Sequence, residues 1–329
     1  MSFRTVVGRT EKAERLAEAV SRAVELLGSG NVVALPTETV YGLAADATQP
    51  EAVARIFEVK ERPLFDPLII HLPGMAWLER VAAIRPEDRD LVDELIARFW
   101  PGPLTLVLPR GNVIPDIATA GLPTVAVRMS AHPVFRAVIE KFGRPLAAPS
   151  ANRFGRISPT SCEDVVSELG GRAPLVVDGG RATHGLESTI VRVEGRRIFL
   201  LRTGPVTKEM LAGFGEVAAN VENGPLSAPG MLKSHYAPRT PLRVIADSRG
   251  VTPRGRCGLL AWQPRSSPAP FEKVEVLSER HDLREAAARL FAAMRRLDEA
   301  GLDLILAEEV PETGLGAAIM ERLRKASHE

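Results

Sequence analysis

Residues 124–148, TVAVRMSAHPVFRAVIEKFGRPLAA, decide the fold. Thr124-Val-Ala-Val-Arg128 alternates, and Val125–Val127 reads as a strand. Val134–Phe142 has apolar residues at helical spacing, and Pro145–Ala148 reads as the end of another strand. A strand, a helix and a strand in so short a stretch point to an α/β domain. The rhythm holds on both sides. Towards the N-terminus, strands are predicted through Leu104–Leu108, Leu68–Leu72 and Val32–Leu35. Between them lie helical patterns over Glu87–Phe99 and Ala52–Val59, and a first helix from Glu11, capped by Thr10 and stopped by Gly28 and Gly30. Towards the C-terminus come a helix over Asp164–Leu169 and a strand over Leu175–Val177. Thr189–Val193 and Arg197–Leu201 then flank Glu194–Gly195 as a hairpin, so at least one antiparallel pair is expected.

From 214 to 241 the pattern dissolves. Asn220, Asn223, Gly224, Pro225, Pro229, Gly230, Pro238 and Pro241 punctuate a stretch without period, read as a linker. A structureless stretch of that length tends to be functional or disordered. The β/α rhythm then resumes. Leu242–Ala246, Cys257–Trp262, Val274–Leu277 and Leu304–Leu306 read as strands. Leu283, Ala287, Leu290, Phe291, Met294 and Leu297 form one helical stripe, Gly316–Lys325 is a final helix, and Pro264–Pro270 is a surface loop. The division expected is 1–213, a linker over 214–241, and a small α/β domain over 242–329.

The composition, 45% hydrophobic and 25% charged, is that of a soluble globular protein. The net charge of +1 points to neither nucleic acid nor a membrane surface. Locally, residues 98–160 carry eight Lys/Arg against Asp116 and Glu140; a run of that kind is usually a solvated face, with room for an anion site. Two isolated cysteines, Cys162 and Cys257, argue against a disulfide scaffold or structural zinc. With no apolar leader and no long apolar window, a reducing, cytoplasmic setting without a membrane span is expected.

The common nucleotide motifs are missing. No Gly-x-x-x-x-Gly-Lys-Ser/Thr run occurs, and Gly314-Leu-Gly316 lacks the third glycine of a dinucleotide fingerprint. Neither a zinc-protease helix, a nucleophile elbow nor a kinase signature is present. Four segments nevertheless look over-specified for a core. Leu35-Pro-Thr-Glu-Thr-Val-Tyr-Gly-Leu43 places Thr37, Glu38 and Thr39 at a strand exit, where ligands of α/β sheets sit. In Lys60-Glu-Arg-Pro-Leu-Phe-Asp-Pro-Leu-Ile-Ile-His71, Pro63 biases Arg62 towards extended backbone, so Lys60 and Arg62 point the same way and can grip a phosphate. The plainer reading of Lys60 is a basic helix end that complements the dipole. Arg128 ends an alternating strand; a buried stem leaves its head to be paired, and it can clamp a carboxylate. Ala147-Ala-Pro-Ser-Ala-Asn-Arg-Phe-Gly-Arg-Ile-Ser-Pro-Thr160 runs from a strand into a loop whose Ser150, Asn152 and Ser158 offer donors to phosphate and ribose oxygens.

Together these segments resemble the YrdC-like threonylcarbamoyl-AMP synthases. The resemblance rests on Pro36-Thr-Glu-Thr-Val-Tyr-Gly, Lys60-x-Arg62 and Ser150-x-Asn152 in order. It extends through Trp100-Pro-Gly-Pro-Leu-Thr105, Asp178-Gly-Gly180, Glu187-Ser-Thr189 and Arg202-Thr-Gly204, over roughly residues 10 to 210. His235-Tyr-Ala-Pro238, followed by a small α/β domain, is similar to the long, two-domain form of that family. The resemblance implies a YrdC-like twisted mixed sheet with helices and a small Rossmann-like C-terminal domain. It also implies a nucleotidyltransferase that makes threonylcarbamoyl-AMP and pyrophosphate from L-threonine, bicarbonate and ATP with Mg²⁺. The product would pass to the machinery that threonylcarbamoylates tRNA. By the same resemblance, Thr39, His71, Arg128, Ala148 and Ser188 line the threonine site. Arg62, Asp66, Thr124, Ser150, Ser158, Arg202 and Tyr236 line the ATP site, and Lys60 and Asn152 complete the catalytic set with Arg62 and Ser150; no protein metal ligands are implied. The family commonly has Asn where Asp66 stands, and a carboxylate there repels a triphosphate unless a metal or an arginine intervenes. The linker, through Tyr236, is a candidate lid that excludes water from a labile adenylate.

Three rivals differ in what they require. An RNA-binding module would use the local arginine excess, a candidate source of weak RNA contact, but lacks an aromatic-rich platform. A maturation factor using carbamoyl phosphate would need further domains and cysteine-rich zinc motifs. An inactive paralogue is opposed by the intact Lys60, Arg62, Ser150 and Asn152.

Overall fold

Two sheets organise the residues that the computed structural model describes, 5–219, 235–264 and 270–327. The chain runs β1 (Val6–Arg9), α1 (Ala13–Gly28), β2 (Val33–Leu35), β3 (Gly42–Asp46), α2 (Pro50–Lys60), β4 (Ile69–His71), α3 (Leu78–Val81), α4 (Arg89–Phe99) and β5 (Leu104–Pro109). It continues through α5 (Asp116–Thr119), β6 (Thr124–Arg128), α6 (Pro133–Phe142), β7 (Leu146–Ala147), α7 (Cys162–Leu169), β8 (Leu175–Asp178), β9 (Thr189–Glu194), β10 (Arg197–Arg202), α8 (Lys208–Leu211) and β11 (Glu216–Ala219). The second region comprises β12 (Leu242–Ile245), β13 (Cys257–Ala261), β14 (Lys273–Val276), α9 (Leu283–Asp298), β15 (Leu304–Glu308) and α10 (Leu315–Ala326). Among the described residues the larger sheet orders its strands β1-β8-β2-β3-β7-β4-β6-β5-β9-β10-β11, and the smaller β12-β15-β13-β14. The larger sheet is mixed, with β9 and β10 as the expected antiparallel hairpin; the smaller is parallel throughout.

Several expectations are corrected. Thr10 does not cap α1; the helix begins at Ala13 behind Lys12, and the Thr10 hydroxyl donates to the Asp178 carbonyl at 2.6 Å. The reason is β1, which has no apolar alternation yet pairs in parallel with β8 and carries Thr10 to that edge. β3 is a second unpredicted strand. Its Gly-Leu-Ala-Ala-Asp sequence has weak strand preference, but β2 and β7 hold it from both sides. β11 pairs with β10 inside what reads as linker, so regular structure continues to Ala219. Residues 220–234 of the expected linker, and 265–269 of the Pro264–Pro270 loop, lie outside the described residues.

Alternation sets which face each strand shows. Ala34, Ala45, Ile70, Val125, Val127, Leu104, Leu106 and Val191 turn to one face and form the main core with α2, α4 and α7. Val33, Leu35, Ala44 and Leu146 turn to the other, where α1 and α6 cover them. The register carries that second face across the sheet: Leu146 stands opposite His71, His71 opposite Arg128, and Ile69 opposite Ala126. Beyond α6 the same face bears only a small apolar cluster of Ile69, Val107, Ala126, Ile190 and Leu201. This thinly covered part of the sheet is where a ligand can lie.

The second region closes one side of it. Tyr236 and Leu186 belong to the same buried cluster as Leu290 and Phe291 of α9 and Ile319 and Leu323 of α10. Arg295 of α9 pairs with Glu168 at 2.9 Å and donates to the Ile157 carbonyl at 3.0 Å. The two sheets therefore share buried contacts rather than hanging on a tether alone.

Candidate active site

A cleft lies over the open face. Ile69 and His71, alternate residues of β4, form its floor with Arg128 of β6 and Ala148 just after β7. Its walls are three loops and one strand end. Thr37, Thr39 and Val40 follow β2; Pro149 and Ser150 follow β7; Glu187 and Ser188 precede β9; Arg202 ends β10. His235 and Tyr236 close the remaining side.

The five residues that the resemblance assigns to threonine all line this cleft. Arg128 is buried with its fork spread over the loop after β2. It donates to Glu38 Oε1 at 2.9 Å, and both terminal nitrogens lie 3.2 Å from the Thr39 hydroxyl. Glu38 is fixed in turn by the Ser130 hydroxyl at 2.5 Å and the Ala131 amide at 3.2 Å. Burial alone would raise the Glu38 pKa, but Arg128 and the Ser130 hydrogen bond hold it below the usual carboxylate range. The Glu38–Arg128 pair thus stays ionic, and it orients the guanidinium rather than leaving it to swing. His71 packs against Phe135 with ring centroids 4.7 Å apart. Burial, then Arg128, pushes its pKa well below 6.5, so it is a neutral imidazole. Ser188 shares a 2.8 Å hydrogen bond with Thr105 across β5 and β9.

The nucleotide and catalytic candidates divide. Arg62, Ser150, Arg202 and Tyr236 line the cleft. The two arginines are buried, which pushes their pKa values down, yet a guanidinium stays charged at neutral pH. Arg62 donates to the Asp66 and Pro67 carbonyls at 3.2 and 2.9 Å and pairs with the Asp66 carboxylate at 2.8 Å. An arginine thus intervenes between Asp66 and the cleft, and Asp66 itself is not part of the lining. Arg202 donates to the Ser188 carbonyl at 3.0 Å and to its hydroxyl at 3.1 Å.

Lys60, Asn152, Ser158 and Thr124 lie outside the lining. Lys60 is not on extended backbone: it is the last residue of α2, and Glu61 at φ 54° reverses the chain behind it. Its ammonium reaches the Ser150 and Asn152 carbonyls at 2.5 Å each. The Asn152 amide donates to the Arg153 and Arg156 carbonyls at 2.7 and 2.9 Å. Both residues therefore hold the loop that presents Ser150. Ser158 is buried and donates to Glu187 Oε1 at 2.5 Å, one step behind the cleft. Thr124 shares the open face with Ala126 and Arg128 but sits at the far end of β6, roughly 13 Å along the strand at ~3.3 Å per residue.

Three further residues act here: Ser130 and Arg322, which nothing in the sequence singles out, and Thr105, which stands in the Trp100–Thr105 segment of the resemblance without an assigned role. Ser130 and Thr105 act only through strands brought together by the sheet. Arg322 lies in α10 and donates to Glu187 Oε2 at 3.1 Å and to the Thr203 carbonyl at 2.7 Å. No local signal marks Ser130 or Arg322.

Comparison with known proteins finds similarity along nearly the whole chain. A family model described as "Telomere recombination" matches residues 25–204, and one described as "Threonylcarbamoyl-AMP synthase, C-terminal domain" matches 206–328. The threonylcarbamoyl-AMP synthase of Pyrococcus abyssi is 41% identical over 330 residues, covering 95% of this chain and 96% of its own length. That of Bacillus subtilis is 40% identical, covering 94% and 92%. The crystal structure of the P. abyssi protein complexed with L-threonine superposes with a TM-score of 0.85 at 38% identity, covering 98% of this chain and 97% of that one. Similar along nearly its whole length in sequence, domain content and fold, this chain belongs to the two-domain form of the threonylcarbamoyl-AMP synthase family, and it is a nucleotidyltransferase of that family.

Proposed function

We propose that this cleft converts L-threonine, bicarbonate and ATP into threonylcarbamoyl-AMP and pyrophosphate, with the two substrate ends divided as the residues suggest. The carrying observation is the joining of three buried guanidinium groups, Arg62, Arg128 and Arg202, to a neutral His71 and the hydroxyls of Thr39 and Ser188 in one cleft. Every species in the reaction carries an anionic group, so preoriented cations and donors supply most of what the chemistry needs. Threonine's amine adds to bicarbonate with loss of water to give an N-carboxylate. That carboxylate attacks the α-phosphorus of ATP, and pyrophosphate leaves. Arg128, aimed by Glu38 and Thr39, binds the amino-acid carboxylate, while Arg62, Arg202 and Ser150 face the nucleotide. Lys60 and Asn152 act by holding the Ser150 loop, and Ser158 by holding Glu187.

Mg²⁺ enters as part of the nucleotide substrate. Among the described residues no group of three or more His, Cys, Asp or Glu could hold a metal. Asp66 and Glu187 are already engaged by arginines. Phosphate oxygens and water supply the ligands that Mg²⁺ prefers. The free, buried Cys162 and Cys257 fit a reducing, cytoplasmic setting, and a labile adenylate fits hand-over to a downstream tRNA-modifying acceptor. Pyrophosphate release measured with threonine and bicarbonate omitted in turn tests the reading: release should vanish in both cases. Release indifferent to either omission would overturn it.

A further inference from the structure

Each carboxylate at or behind the cleft is matched by its own arginine. Glu38 has Arg128 and Asp66 has Arg62, both from the larger sheet's region. Glu187, which lines the cleft, is matched instead by Arg322 of the second region, at 3.1 Å. Arg322 has no exposed surface, and its other bonds go to Thr203, next to Arg202. Glu321, one residue earlier on α10, accepts from the Thr203 amide at 3.0 Å and from its hydroxyl. The guanidinium also lies 5.4 Å from the centre of the Tyr236 ring. From the other side, the backbone of α9 presses on Gly185, where a Cβ would meet the Ala287 carbonyl oxygen at 2.6 Å. Both helices of the second region thus grip the loop carrying Glu187 and Ser188.

We infer that Arg322 is a positioning residue of the active site: it neutralises Glu187 and pins its carboxylate between Ser158 and α10, so that Arg202 faces an anionic nucleotide beside a charge-compensated wall. The inference rests on the nucleotide reading given under Proposed function. Removing one partner of a buried ion pair leaves the other charge uncompensated. Arg202 already feels the charge of Glu187, which without Arg322 is no longer offset. The carboxylate would then repel phosphate and compete for the cation that binds it. Burial works against the charge on Arg322, yet Tyr236, Glu321 and Glu187 around it hold its pKa above the usual value.

The test uses the full chain and α,β-methylene-ATP, which cannot release pyrophosphate. Calorimetry gives its Kd and, separately, that of L-threonine. Arg322→Met should weaken the nucleotide analogue at least tenfold and threonine less than threefold. Adding Glu187→Gln to Arg322→Met should restore the analogue's affinity to within threefold of Glu187→Gln alone. A merely structural role predicts equal losses for both ligands and no rescue, and either result overturns the inference. So does wild-type affinity in Arg322→Met. Should that variant not fold, Arg322→Lys decides: its single ammonium cannot serve both Glu187 and Thr203, so a selective loss of threefold or more in analogue affinity is expected, and wild-type binding refutes. Arg62→Ala, run in parallel, tests the nucleotide site itself; undiminished binding there brings down that reading and this inference with it.

Discussion

Replacing Lys60 by methionine separates two roles that its position in the chain cannot distinguish. The side chain is 1% exposed, and its ammonium meets two backbone carbonyls at 2.5 Å. Methionine has similar length and no donor, so both carbonyls lose a charge-assisted partner. A buried acceptor left unsatisfied costs about 1–3 kcal/mol. Two of them set a gross loss of ~2–6 kcal/mol. Part of it is offset because a buried ammonium no longer has to be desolvated; that burial, followed by the nearby Arg62, already pushes the Lys60 pKa well below its ordinary value. A net loss of about 2–3 kcal/mol, confined to the loop, is the resulting expectation. At ~1.4 kcal/mol per tenfold, loop opening becomes about 30- to 150-fold more frequent. Amide hydrogen exchange reads this directly at Ala151 and Phe154, whose N–H groups donate to the Tyr41 and Lys60 carbonyls at 2.8 and 2.9 Å. Faster exchange there, with turnover reduced in step, is the expected result. Lost turnover with unchanged exchange at both amides would refute the loop-holding role and return Lys60 to direct contact with phosphate.

Two further outcomes follow from the same geometry. Arg128→Lys keeps the charge but loses the fork shared by Glu38 and Thr39; steady-state pyrophosphate release should show KM for threonine rising roughly tenfold with KM for ATP little changed, and equal rises would contradict the assignment. His71 and His235 are both buried with pKa values well below 6.5, His71 by burial and then Arg128, His235 by burial and then Arg62 and Lys60. A histidine whose folded pKa is depressed leaves stability unaffected while both states are neutral, and costs stability once the unfolded chain takes up a proton. Urea midpoints should therefore be level from pH 8 to 7 and fall below about pH 6.5, approaching ~1.4 kcal/mol per pH unit for each of the two. His71→Asn should reduce that slope, and an unchanged slope would show that His71 is not a source of it.

Much of the fold is legible in the chain because its signals are local. The alternation of Thr124–Arg128 and the stripe of Val134–Phe142 each specify which side is buried, and the structure places them as β6 and α6. The hairpin around Gly195 is equally local, since two strands joined by so short a turn have little choice but to pair. β1 and β3 escape for the opposite reason. Their residues carry weak preferences, and only neighbours distant in sequence make them strands.

The candidate site divides along the same line. The residue types the chemistry needs, and the order of Lys60, Arg62, Arg128, Ser150, Asn152 and Arg202, are written in the chain. What each of them meets depends on the folded arrangement. Register put His71 beside Arg128 and so made a cleft floor from alternate residues of separate strands. The left-handed turn at Glu61 sent Lys60 into the Ser150 loop while Arg62 kept the cleft. Packing of a second sheet brought Arg322 to Glu187, 135 residues away in the chain. Side-chain chemistry is a local property, but the compensation of buried charge depends on which groups meet, and that is settled by packing across the whole chain.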